Sequence, residues 1–251
     1  MKLGSRGSAL ALAQAGLVRD RLAALGQEVE LVVIRTAGDE RPAGHPAPET
    51  SDKERFVKEI EEALLDGRID MAVHSAKDVP GELPEGLAIA GVPERADPRD
   101  ALCGGAASLD ELRAGAVVGT ASVRRRSQLL AARPDLDVRE VRGNVDTRLR
   151  KLAGGEYDAL VLAAAGLDRL DRQEGEPVAT DVMLPAPGQG CLALEARDGD
   201  AAITDLAVEL TDFAALVALT AERALVARLE ATCDTPVGAL ARLEDGALVL
   251  R

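Results

Sequence analysis

The sequence predicts an α/β protein of two lobes around a cleft, followed by the start of a small α+β third segment. Three observations predict it. Apolar runs of strand length alternate with segments of helical period through most of the 251 residues, the pattern of largely parallel sheets covered by helices. A Pro- and Gly-rich stretch, Leu184 to Gly190, separates the second cycle from a late strand, as a crossing between lobes would. Polar and cationic residues recur directly after strands, where open α/β sheets bind ligands.

In chain order, Leu10 to Leu25 repeats apolar residues at helical spacing and stops at Gly26, and Glu28 to Arg35 reads as a strand. Pro42 to Glu54 is polar and reads as a loop; a helix over Arg55 to Leu65 stops at Gly67, and Ile69 to His74 is a short buried strand. After the loop Glu94 to Asp100 a second cycle begins. Ala116 to Gly119 is a strand, Val123 to Ala132 a helix, Asp137 to Val141 a strand, Val145 to Ala153 a helix and Ala159 to Ala163 a strand. Beyond the crossing, Cys191 to Ala196 is a strand and Ala214 to Leu229 a helix. Gly238 to Arg242 and Ala247 to Leu250 form a hairpin turned at Glu244-Asp245-Gly246. One helix and one hairpin are too little for an independent core, so the chain from Phe213 onward is expected to leave its apolar face unburied.

Composition excludes several function classes. No stretch approaches the roughly 20 apolar residues of a membrane span, and no signal peptide follows Met1, which points to the cytoplasm. Forty-three acidic against 30 basic residues give a net charge of −13, which repels nucleic acid and anionic membranes. Only five of the basic residues are lysines (Lys2, Lys53, Lys58, Lys77, Lys151). So acidic a surface reads either as adaptation to high salt, where screening removes self-repulsion, or as the composition of a GC-rich genome. One Tyr, two Phe and no Trp leave no stacking platform for bases or sugars. The two histidines, His45 and His74, are not spaced with the three cysteines as ligands, so no metal is expected. The odd, scattered cysteines fit a reducing compartment.

The strand ends describe a cleft that collects anions. Ser75, Lys77 and Asp78 follow the strand ending at His74; Thr120, Ser122, Arg124, Arg125 and Arg126 follow the one ending at Gly119. Arg142, Asn144 and Arg148 follow the next, and Arg169 lies just beyond Ala163. In Gly119 to Arg125 the hydroxyl of Thr120 or Ser122 can cap the helix, and the arginines can hold carboxylates in two-pronged bonds. Arginines in a first turn oppose the helix dipole unless an anion compensates; an ordinary solvated first turn is the bland alternative. Arg142 to Arg148 repeats the plan, with Gly143 letting backbone approach a ligand. Asp78 beside Lys77 is either a structural ion pair or a carboxylate kept ionised to stabilise a developing cation or pass a proton. Lys53 and Lys58 read as solvated charge. Cys103 and Cys191 lie in apolar strands and read as buried; Cys233, in the loop Glu230 to Pro236, is the exposed candidate.

Taken together these segments resemble the porphobilinogen deaminases. Gly4 to Ala11, Phe56 to Glu59, Val73 to Pro80, Asp97 to Ala101, Gly119 to Arg125, Arg142 to Arg148, Ala165 to Leu167, Leu184 to Gly190 and Thr220 to Arg223 recur in that family's order and spacing, over nearly all of the chain. The resemblance implies two lobes like type II periplasmic binding proteins and a third domain. On this chain it implies domains 1–95 with 191–208, 97–186, and an incomplete 213–251. It implies a monomeric cytoplasmic transferase that condenses four molecules of porphobilinogen into linear hydroxymethylbilane with release of ammonia, in tetrapyrrole (haem, sirohaem, cobalamin) biosynthesis. The implied cofactor is a dipyrromethane joined by a thioether to Cys233. Asp78 would be catalytic. Ser75, Lys77, Asp78, Thr120, Ser122, Arg124, Arg125 and Arg148 would hold the cofactor; Arg6, Ser8, Arg142, Arg148, Arg169 and Gln189 would hold substrate. No nucleic acid, membrane or metal partner is implied.

The chain departs from the family in three places. Ser51 to Arg55 is charged where glycines are common, Ala231-Thr232 precede Cys233 where glycines are common, and the sequence stops at Arg251, which suggests a shortened gene product or piece. The alternative from another class is a non-catalytic carboxylate-binding protein of the same two-lobed shape, which needs the arginines but neither Asp78 nor Cys233.

Overall fold

A computed structural model describes residues 1–34, 52–232 and 235–251. Strand β1 (Lys2–Arg6) precedes α1 (Ala9–Ala24), which starts where Ser8 accepts a hydrogen bond from the Ala11 N–H at 3.3 Å. Then come β2 (Glu30–Ile34), α2 (Asp52–Leu65), β3 (Met71–Ser75), a 3₁₀ turn over Ala76–Asp78 and β4 (Leu87–Gly91). The second lobe contains β5 (Asp100–Cys103), β6 (Val117–Gly119), α3 (Val123–Ala132), β7 (Asp137–Arg139), α4 (Val145–Ala153), β8 (Ala159–Ala163), α5 (Ala164–Asp168) and β9 (Glu176–Pro177). The chain returns through β10 (Leu192–Arg197) to α6 (Ala201–Glu209) and α7 (Phe213–Arg228), and ends in β11 (Ala241–Glu244) and β12 (Ala247–Leu250).

Two mixed five-stranded sheets share one plan. The first runs β2-β1-β3-β10-β4 and the second β7-β6-β8-β5-β9. In each, three parallel strands make the βαβ part, and an antiparallel strand, β10 or β5, sits fourth. Both antiparallel strands directly follow a crossing between the lobes. The two crossings, Arg95 to Arg99 and Leu184 to Gly190, are bonded to each other through Ala96 N–H to Gly190 O (3.2 Å) and the Gln189 amide to Pro98 O (2.8 Å).

Alternation along β3 and β10 sorts their side chains. Met71, Val73, Leu192, Leu194 and Ala196 pack under α1 and α6, whereas Ala72 joins the core beneath α2 with Ile60, Ala63, Leu64 and Ile69. At roughly 1.5–3 kcal/mol for each large apolar side chain fully buried, these clusters account for the lobes' cohesion. The terminal segment departs from expectation. Rather than leaving its apolar face bare, α7 buries Ala215 and Leu219 against Ala76, Val79, Val92, Cys191 and Ala193 of the first lobe. It lacks a core of its own and borrows one. The hairpin is tethered by Ala239 N–H to Pro185 O and Ala241 N–H to the Glu222 carboxylate, while Leu243, Leu248 and Leu250 stay exposed. Among the described residues no helix is long and apolar enough to cross a membrane, and no group of three or more His, Cys, Asp or Glu could hold a metal.

Candidate active site

The carboxyl ends of β3, β6, β7 and β8 place the expected residues. Ser75 ends β3, and the 3₁₀ turn that follows carries Lys77 and Asp78, both half-buried. Ser75 Oγ is held by the Gln14 side chain of α1, whose Nε2 donates at 2.8 Å. Gln14 is buried; in the sequence it is one polar residue of an apolar helix, and nothing marks it as a support for Ser75.

On the second lobe, Ser122 caps α3 and accepts from the Arg125 N–H, and Thr120 Oγ1 accepts from the Ser122 N–H at 3.1 Å. Of the two hydroxyls anticipated as caps, Ser122 performs the capping and Thr120 braces the cap residue. Arg124 and Arg125, expected as open carboxylate holders, are buried and share an internal carboxylate. Arg124 Nη1 and Nη2 donate to Asp100 at 2.7 and 3.2 Å, and Arg125 Nε donates at 2.9 Å. Arg124 also donates to Leu184 O and Arg125 to Val161 O. Burial alone would raise the Asp100 pKa. The charges of Arg125 and Arg124, with hydrogen bonds from Arg124 and Gln189, instead pull it far below the carboxylate range. The sequence pairs these arginines with an outside anion; the fold supplies an inside one. Asp100 opens a strand within the segment Asp97 to Ala101, which the family resemblance marks, but nothing in the residues themselves points to its partners.

Asn144 caps α4 through the Thr147 N–H at 2.9 Å, and Arg148 folds back to donate its Nε to Gly143 O at 2.7 Å. Arg148 is half-buried, with charges of both lobes acting on it. Burial lowers its pKa most, the Arg125 charge lowers it further, and Asp78 from the opposite lobe raises it. Arg169 is likewise lowered by burial and donates to Gly190 O at 2.8 Å. Arg142 is exposed and paired with Glu140 at 2.7 Å. Ser8 caps α1 beside Arg6, at the end of β1.

Gln189, expected to touch substrate, is 1% exposed. Its amide donates to Pro98 O and to Asp100 Oδ1 (2.9 Å) and accepts from Lys77 Nζ (3.3 Å), so its polar atoms are taken up at the crossings. Cys103 and Cys191 are buried, and burial pushes their thiols up to about 12 and about 11, which makes them inert at neutral pH. Cys233, His45 and the loop from Pro42 to Ser51 lie outside the described residues, while Asp52 to Glu54, expected in that loop, belong to α2. Glu222, fully buried on α7, is a residue that sequence reasoning does not single out. It accepts from Arg95 (2.7 and 3.2 Å), the Gly188 N–H and the Ala241 N–H, and so ties both crossings to the hairpin.

Asp78 thus has one cation, Lys77, beside it in its own turn and a second, Arg148 of the other lobe, in electrostatic reach. Such a donor set suits a ligand bearing several carboxylates and a centre that turns cationic.

Known proteins resemble the chain along its whole length. Residues 1–205 match the model of the porphobilinogen deaminase, dipyromethane cofactor binding domain, and residues 216–251 that of the porphobilinogen deaminase, C-terminal domain. A porphobilinogen deaminase of Roseiflexus sp. (strain RS-1) is 51% identical over 254 residues, covering 99% of this chain and 84% of that protein. One of Thermus thermophilus is 53% identical over 254 residues, covering 99% and 82%. Among solved structures, a putative methionine-binding lipoprotein of Bacillus subtilis has a similar fold, with a TM-score of 0.50 and 14% identity over 84% of this chain and 89% of that one.

Proposed function

The chain belongs to the porphobilinogen deaminase family, and from that membership and the geometry of the cleft we propose how its own residues serve the condensation of porphobilinogen into hydroxymethylbilane. The observation that carries the reading is Arg148, a half-buried guanidinium within electrostatic reach of Asp78 on the first lobe and of Arg125 on its own lobe. Two cations, Lys77 and Arg148, beside one carboxylate suit a substrate that brings acetate and propionate groups and becomes cationic when ammonia leaves.

The donors also fit a dipyrromethane. Lys77 and Arg148 would take its carboxylates, Ser75, Thr120 and Ser122 would add neutral donors, and Cys233 would carry the thioether. When bound, the dipyrromethane supplies the pyrrole α-carbon to which the first unit is joined. Arg124 acts one layer deeper, holding Asp100 and through it Arg125. Arg6, Ser8, Arg142 and Arg169 would hold incoming substrate. Asp78, as a carboxylate, stabilises the positive charge that develops on the pyrrole as ammonia departs, and receives the pyrrole proton when aromaticity is restored. The division 1–95 with 191–208, 97–186 and 213–251 is the working one for this scheme, with Asp78 and Arg148 supplied by different lobes.

Asp78→Asn keeps shape and hydrogen bonding but removes charge. Turnover should fall by about two orders of magnitude while KM changes far less. Near-normal turnover, with the cofactor verified by intact mass, would leave Asp78 a structural partner of the cations. Cys233→Ser should lose the covalent adduct and Cys103→Ser and Cys191→Ser should retain it; an adduct on the Cys233 variant moves the attachment elsewhere.

A further inference from the structure

We infer that Gln189 is the positioning residue that orients Lys77 beside the catalytic carboxylate and couples it to the Asp100 anchor of the arginine pair. The inference rests on the role given to Asp78 above. The turn Gly188-Gln189-Gly190 is wedged between two pieces of backbone. A Cβ on Gly188 would lie 3.0 Å from Lys77 N and 3.1 Å from Ala76 C; one on Gly190 would lie 2.4 Å from Ala96 O. Both glycines have positive φ, 74° and 89°. The crossing thus presses on the back of the 3₁₀ turn that presents Asp78 and, on its other side, on the entry to the second lobe. The Gln189 backbone is fixed too, its N–H donating to Ala186 O at 2.9 Å and its carbonyl accepting from Arg95 Nε at 3.0 Å.

Held this way, the amide can be read in one sense only. Its oxygen faces the Lys77 ammonium at 3.3 Å, and its nitrogen faces the Asp100 carboxylate at 2.9 Å and Pro98 O at 2.8 Å. A primary amide is the one uncharged side chain that offers an acceptor to a cation and donors to an anion from one rigid plane. A glutamate of the same shape would set a carboxylate against Asp100; a hydrocarbon would leave the ammonium and carboxylate without that link. The contacts close a circuit around the cleft. Asp78 neighbours Lys77, Lys77 bonds Gln189, Gln189 bonds Asp100, Asp100 holds Arg125, and Arg125 and Asp78 both act on Arg148. Gln189 is the link in that circuit that belongs to a crossing, so it transmits the relative position of the lobes to the ammonium next to Asp78.

The scarcity of lysine makes the test direct. Reductive methylation of the whole cofactor-loaded protein with ¹³C-formaldehyde labels the amino terminus and only five lysines, and Lys77→Arg assigns the Lys77 signal. In Gln189→Met, of similar length and without polarity, the Lys77 methyl resonance should move while those of the other lysines stay. The value of kcat should fall about tenfold or more, with KM within about threefold. A merely structural role would alter the unfolding midpoint and leave the Lys77 resonance in place, and that result overturns the inference, as does parent-like kcat. Gln189→Asn, which keeps the amide but is one methylene shorter, is read the same way should the methionine variant not fold. The resonance is independent of turnover, so failure of the Asp78 reading appears as normal turnover in Asp78→Asn with the Gln189 effect on Lys77 intact. Failure of the present inference appears as an unmoved Lys77 signal.

Discussion

Asp100 is the residue on which the arrangement of the cleft depends most, and replacing it by asparagine gives a calculable result. The side chain is fully buried and receives hydrogen bonds from Arg124 (2.7 and 3.2 Å), Arg125 (2.9 Å) and Gln189 (2.9 Å). Asparagine occupies the same volume. It cannot neutralise the two guanidiniums, and one of its faces becomes a donor pointed at other donors. Removing one partner of a buried ion pair costs about 3–5 kcal/mol, because the remaining charge is left uncompensated. Against a total stability on the order of 5–15 kcal/mol, that is a large fraction. For a chain of this length the melting temperature should drop by roughly 10 °C. Urea unfolding of parent and variant at pH 7, with equal m-values, measures the loss. The sign with pH is fixed as well. The folded pKa of Asp100 lies below the ordinary 3.8, so the stabilisation is present above that value and is lost as pH falls through the folded one. The gap between parent and variant should therefore be flat above about pH 5 and should close in strong acid. A loss under about 1 kcal/mol at pH 7 would refute the reasoning, since the arginines would then have found other partners.

Titration, salt and exchange probe other parts of the molecule. Glu61 on α2 is raised from 4.5 to about 7, by burial first and by Glu195 second, with His74 opposing. The folded state thus holds the extra proton, and stability should decline as pH rises from 4.5 through 7, by about 1–2 kcal/mol after allowance for screening. Glu61→Gln should abolish that slope, and identical slopes for both proteins would contradict it. If the net charge of −13 reflects salt adaptation, the melting temperature should rise in molar KCl as screening relieves repulsion, and a flat or falling curve counts against it. Hydrogen exchange should divide the terminal segment, with α7 protected like β10 because Ala215 and Leu219 are buried on the first lobe, and the hairpin exchanging fast; uniform protection from Phe213 onward would be inconsistent with this packing.

What the sequence shows and what it hides follow a physical division. The helices α3 and α4 and the strands β8 and β12 have the predicted bounds, because local period and capping residues determine them. β1 is not legible because Lys2–Arg6 carries Gly4 and Ser5 in its buried centre and has no apolar alternation to reveal it. α6, with its Asp200 cap, and β4 are likewise absent from the sequence reading. The hairpin ladder ends with the mutual Leu240 and Arg251 pair just before Ala241 and does not reach Gly238, because the Ala239 N–H turns to Pro185 O. At the site, strand-end placement of Ser75, Lys77, Asp78, Thr120, Ser122 and Arg148 is legible. Partner choice is not. Whether Arg124 meets an outside carboxylate or Asp100, and whether Gln189 meets substrate or Lys77, depends on crossings that bring residues about ninety positions apart into contact, and no local pattern carries that information.

The position of β10 has a consequence for biogenesis. It lies inside the first sheet, between β3 and β4, yet is formed by residues 192–197, after the whole second sheet has been made. As the chain leaves the ribosome, Asp100 to Pro177 can pair into a complete sheet while the earlier lobe still exposes two open strand edges, each a template for pairing with another chain. The later lobe should thus mature first and the earlier one last. A chaperone or a crowded polysome would encounter the N-terminal half in an unfinished state for the time it takes to synthesise roughly one hundred more residues, about 5–20 s at ordinary elongation rates.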